Sequence, residues 1–136
     1  MTAIAITAGS VVATSGATRD AGIAAEAITA GQAIYVNTTT NRVMLADTNS
    51  ATAEARLAKG IALNGASAEQ PVTYIKEGDL TVNAVLTKGI SYYLGGAGGA
   101  IVPVADLTTG DYTCILGIAK STTVLAVKIQ SAGVAI

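Results

Sequence analysis

The sequence predicts an all-β fold, a sandwich or barrel of about eight short antiparallel strands, and three observations carry that expectation. Short runs rich in β-branched residues and Tyr alternate with clusters of Gly, Asn, Asp and Thr, at the spacing of about 8–12 residues typical of all-β domains. Near the end of the chain the alternation is explicit. Leu125, Val127 and Ile129 interleave with Ala126, Lys128 and Gln130, while Tyr112, Cys114, Leu116 and Ile118 fall on one face. The chain also resembles itself: Ile28-Thr29-Ala30-Gly31 followed by Tyr35 matches Leu86-Thr87-Lys88-Gly89 followed by Tyr93, 58 residues on. With one-residue shifts, Val43 to Asp47 parallels Val102 to Asp106, and Gly60-Ile61-Ala62 parallels Gly117-Ile118-Ala119. Two pseudo-repeated halves are the expectation.

In chain order, residues 1–22 are read as an N-terminal arm or edge strand and residues 23–136 as a single β-sandwich domain with one core. The first segment is apolar and punctuated by Gly, Ser and Thr, and it lacks the basic start of a signal peptide, so it is expected to be retained. Ile4, Ile6, Val11 and Val12 could complete an edge of the domain's own sheet or add to a neighbouring subunit by strand augmentation. Strand candidates follow at Gln32 to Asn37, Arg42 to Leu45, Leu57 to Leu63, Pro71 to Ile75, Leu80 to Val85, Ser91 to Leu94, Ile101 to Val104, Tyr112 to Ala119 and Val124 to Gln130. The one helical signal is Ala51 to Arg56, a capped turn or two. Each half opens with a Thr-x-Gly turn, because Gly takes positive φ without a steric penalty. The hairpin tips then differ: Thr38 to Asn41 in the first half, and Gly95 to Gly99, expected to be mobile, in the second. The tail, Ser131 to Ile136, is apolar and expected to dock, with Val134 and Ile136 as candidate contacts.

Composition removes most chemistry. There is no His, so the commonest general base and zinc ligand are absent. Net charge is −1 and no basic stripe or stacking Phe or Trp exists, which argues against a nucleic-acid partner. No unbroken apolar run approaches the roughly 20 residues of a membrane helix, so no membrane partner is expected. Cys114 sits in an apolar run and reads as a small buried hydrophobe. The Gly95 to Gly99 run lacks the following helix that a phosphate cradle needs. Asp and Glu all fall in or beside predicted turns, where they bond local backbone. Asp47 with Asn49 and Glu77 with Asp79 lack the ligand spacing of a calcium loop. No catalytic, cofactor-binding or metal-binding residues, and no cofactor, are therefore assigned. The five Tyr are the largest pieces available to a core otherwise made of Ala, Val, Ile and Leu.

Charged residues make up 12% of the chain against about 25% in an average domain, so much of the surface is neutral and suited to burial in an assembly. The segments EAITAGQAIYVN, GIALNGASAEQPVTY, ADLTTGDYTCILGIAKSTT and SAGVAI, within residues 26–136, resemble the capsid cement, or head decoration, proteins of tailed bacteriophages. That resemblance implies a jelly-roll-like β-sandwich on the outer surface of the virion capsid. It also implies a protein made in the host cytoplasm that binds the major capsid protein, and itself as a dimer or trimer at capsid symmetry axes. The family carries no catalytic residues to transfer. An alternative is a carbohydrate- or receptor-binding module of a phage tail or fibre, using Tyr92, Tyr93 and the glycine loop.

Overall fold

The computed structural model describes the backbone of residues 3–135 and the side chains of residues 3–131. The fold is all-β. Ten strands form one continuous sheet system: β1 (Val12–Ala13), β2 (Thr18–Ala24), β3 (Ala33–Val36), β4 (Arg42–Leu45), β5 (Gly60–Ala62), β6 (Pro71–Thr81), β7 (Ser91–Leu94), β8 (Ile101–Pro103), β9 (Tyr112–Ala119) and β10 (Val124–Ala135). Three single turns of 3-10 helix lie at Ala8–Ser10, Ala53–Arg56 and Val104–Asp106. The second of these sits where the sequence signals a helical turn.

The repeat is real at the level of hydrogen-bond register. Tyr35 pairs with Met44 in the β3–β4 hairpin, and Tyr93 with Val102 in β7–β8, so the shift of 58 runs through the hairpin and Val43 matches Ile101 rather than Val102. Ile34 faces Gly60 across β3–β5, and Tyr92 faces Gly117 across β7–β9. The Thr-x-Gly turns match as well: Gln32 N–H donates to the Thr29 carbonyl and Ile90 N–H to that of Thr87, each at 3.2 Å. Gly31 and Gly89 take φ of 94° and 86°, the left-handed region that such turns require at that position. Gly60 and Gly117 are equivalent for a different reason. A Cβ on Gly60 would come within 2.6 Å of the Ile75 carbonyl oxygen, and one on Gly117 would strike that of Ala126. In each half the last strand pairs with the third and comes close to it at this glycine.

The first half closes on itself in the order β2-β4-β3-β5-β6, with β6 pairing back to β2. A ring of five strands cannot alternate direction all the way round, so one neighbouring pair must run parallel. That pair is β2–β4, where Ile23 lies beside Arg42 and Ala24 beside Val43. Every other pairing among the described residues is antiparallel. The second half runs β6-β10-β9-β7-β8. Strand β6 is long because it serves both halves: residues 71–77 pair with β2, and residues 77–81 with β10.

Two apolar clusters result, where the sequence suggested one. Ala24, Ile34, Val43, Ala62 and Val72 point into the ring, one from each strand, with Tyr74. Their chain neighbours Ala33, Tyr35, Ile61 and Ile75 point the other way, into a larger cluster with Tyr92, Leu94, Leu116 and Leu125. A five-stranded ring is narrow, and small side chains fill it. Burial raises the hydroxyl pKa of both Tyr35 and Tyr74 above the usual value of 10.0.

Three local expectations change. The segment Leu80 to Val85 is not a separate strand; Leu80 and Thr81 end β6. Ile118 faces outward, 48% exposed, although alternation placed it inside with Cys114 and Leu116. The register of β9 against β7 slips between Tyr92 and Tyr93, and this bulge reverses the parity. The Gly95–Gly99 tip is tied to the first half rather than left loose. Ala33 N–H donates to the Gly99 carbonyl at 3.0 Å, Gly99 N–H to Ala46 at 2.8 Å, and Thr48 N–H to Gly95 at 3.1 Å.

Gly60→Ala and Gly117→Ala are each expected to cost about 1–3 kcal/mol or more, as overpacking does, in urea unfolding. Gly9→Ala, at a glycine with nothing within 4 Å, should stay within about 0.5 kcal/mol of the parent. Equal effects at all three sites would show that the paired backbones are not close at Gly60 and Gly117.

Candidate functional site

Seven of the nine carboxylates bond to another segment or to their own turn. Glu69 pairs with Arg42 at 2.5 Å, Asp79 with Lys120 at 2.8 Å, and Asp20 lies 3.9 Å from Lys76. Glu26 accepts the Leu45 N–H, Glu54 the Thr38 N–H and Asp47 the Asn49 N–H. Asp111, 5% exposed, accepts both the backbone N–H and the hydroxyl of Thr108. Asp47 and Asp111 lock their own turns, each satisfying an N–H two or three residues away, whereas Glu26, Glu54, Glu69 and Asp79 tie together segments distant in the chain. Cys114 is buried. Among the described residues no three His, Cys, Asp or Glu side chains gather as a metal site would require, and no buried side-chain nitrogen or oxygen lacks a partner.

The candidate contact residues fall into two groups. Ile4, Ile6 and Val11 pack against the larger apolar cluster, so they serve the chain's own core. Within residues 1–22, β1 pairs with the end of β6 and the start of β2 forms a wall of the ring. The boundary at residue 22 falls inside β2. Val12 remains outside, 60% exposed. The side chain of Val134 and the whole of Ile136 lie outside the described residues, although β10 runs to Ala135 opposite Tyr112.

Val12 belongs to a larger face. It stands opposite Thr81 of β6, which stands opposite Val124 of β10. Two residues along, Ala126 lies between Asp79 and Ile118. Because side chains two apart on a strand share a face, Val12, Thr81, Val124, Ala126 and Ile118 line one solvent-facing surface. Its charges include Asp79 and Lys120, which neutralise each other. Sequence reading missed Ile118 as a surface residue, and the signal available was Gly117, since glycine inside a strand marks a bulge.

The alternative, ring-stacking site is only partly assembled. Tyr92 is 2% exposed, and its hydroxyl oxygen accepts the Thr87 N–H at 2.8 Å. Tyr93 is half-buried and lines a groove of about 320 Å³ with Thr113, Ile115, Gln130 and Ser131. The glycine tip does not line that groove. Nearby, the Arg56 guanidinium stacks 3.9 Å from the centre of the Tyr112 ring, which fixes the Ala53–Arg56 turn against β9.

No known protein-family model matches this chain, and no curated protein matches it.

Deleting residues 1–22 removes β1 and most of β2, so it is expected to abolish cooperative unfolding as followed by circular dichroism. Val12→Asp and Ile118→Asp should instead melt within about 0.5 kcal/mol of the parent. A truncated chain that melts like the parent would mean that the ring does not need β2.

Proposed function

We propose that this chain is a non-enzymatic structural virion protein that binds the outside of a major capsid shell and stabilises the expanded head. The observation that carries the reading is the neutral outer face centred on Val12, Val124, Ala126 and Ile118. Val12 and Ile118 are exposed and Val124 and Ala126 half-buried between them, and apolar residues grouped on an outer sheet face suit burial against another protein. Sequence resemblance to head decoration proteins and the scarcity of charge support it.

In this reading the work is done by differential binding. A protein that binds only the expanded shell stabilises that state by mass action, and needs contact area rather than reacting groups. The partners are the major capsid protein and further copies of the chain, as a dimer or trimer at symmetry axes. Copies that bridge neighbouring capsomers add avidity, because each second contact forms at high effective concentration.

A second reading, a carbohydrate- or receptor-binding module of a tail or fibre, is favoured by the groove beside Tyr93. Glycan-array binding that disappears on Tyr93→Ala would select it.

Quantitative mass spectrometry of gradient-purified virions tests the leading reading. The expected ratio of this chain to the major capsid protein is one, or a simple fraction set by icosahedral symmetry. Ile118→Asp should lower occupancy about tenfold or more at limiting protein, as loss of a buried apolar contact does. Absence from the virion, or a few copies per particle, would overturn it.

A further inference from the structure

The two halves close differently, and the difference exposes a site. In the first half the Ala25 N–H donates to the Val43 carbonyl at 2.9 Å, completing the seam between β2 and β4. The residues 58 positions on are Asn83 and Ile101, and among the described residues no backbone bond joins them. Residues Ala3 to Thr7 lie between them instead. Ile4 N–H donates to the Ile101 carbonyl at 2.9 Å. Asn83 Nδ2 donates to the Ala5 carbonyl at 3.0 Å, and Thr7 N–H donates to Asn83 Oδ1 at 2.8 Å. The second half is thus left open by its own strands and completed by an inserted extended segment.

The slot is shaped for that segment. Ile4 and Ile6, two apart and so on one face, pack on the larger apolar cluster. Ile6 sits where a Cβ on Gly31 would be, 2.6 Å from its Cγ2. The turn that follows is lightly packed. Ala8–Ser10 has no buried residue, and Gly9 has no atom within 4 Å of a Cβ built on it. A groove of about 340 Å³ runs beside the segment, between Ile6, Gly31 and Gly99.

We propose that the slot between β8 and Asn83 is a strand-acceptor site, and that in the associated protein it takes Ala3 to Thr7 of a second copy of this chain. Turning at Ala8–Ser10 redirects the segment to an identical slot, where it remakes the same three hydrogen bonds and the same Ile4 and Ile6 contacts. Exchange of an identical element costs little in contacts, and a reciprocal pair closes with two-fold symmetry. The balance is set by concentration against the effective concentration of the tethered segment. This inference stands independently of the capsid reading.

The test uses the full-length chain and a fluorescent peptide of sequence MTAIAITAGS. Fluorescence anisotropy should show saturable binding that falls about tenfold or more with Asn83→Ala in the chain, or with Ile4→Asp and Ile6→Asp in the peptide. Light scattering should show dimer that grows with chain concentration and dissolves in excess peptide. No saturable binding at millimolar peptide, or binding indifferent to both sets of substitutions, would overturn the acceptor site. Peptide binding by a chain that stays monomeric at every concentration would overturn the second copy as occupant.

Discussion

Strand β6 is the element on which the rest of the structure depends. Its first part is the fifth wall of the ring, held on one edge by β2 and on the other by β5. Its last part begins the second half by pairing with β10. One strand therefore does what two would do in separate domains, and neither half is complete without it. The parallel contact of β2 with β4 follows from the same arrangement, because an odd ring must contain one.

Sharing a strand also dictates composition. The strands between the two clusters bury both faces, so β3 and β5 read as unbroken apolar runs, AIYV and GIA. The ring's interior is filled by Ala, Val and Ile together with Tyr74, and three of the larger side chains, Tyr35, Tyr74 and Tyr92, are almost wholly buried. What would be an alternating pattern in a one-sided sheet is erased there and kept only at the solvent-facing strands. Glycine then marks the places where paired backbones come closest, at Gly60 and Gly117.

Legibility followed this physics. The hairpins β3–β4 and β7–β8 were readable because β-branched residues and turn signals bound them closely, and the repeat gave their common register. Strand β2 was not, since Thr18 to Ala21 are exposed on both faces and carry no periodic signal; only long-range pairing with β6 makes them a strand. Ile118 was misplaced because alternation assumes an unbroken register, and a bulge breaks it. Among the contact candidates, Val12 stands outside, while Ile4, Ile6 and Val11 pack on the larger cluster. Nothing local in the sequence distinguishes these two uses of an apolar residue.

The shared strand has a consequence for the order of events during synthesis. Once Thr81 has left the ribosome the ring holds all its strands, but the edge of β6 from Glu77 to Thr81 waits for β10, which begins at Val124. An exposed strand edge is an invitation to pair with another nascent chain. The sequence at that point is Lys76-Glu77-Gly78-Asp79, the densest run of charge in a chain that has little. Charges flanking an unprotected edge act as gatekeepers against aggregation. In the finished fold Asp79 then meets Lys120, so the residues that guard the edge while it is bare help to fasten it once it is covered.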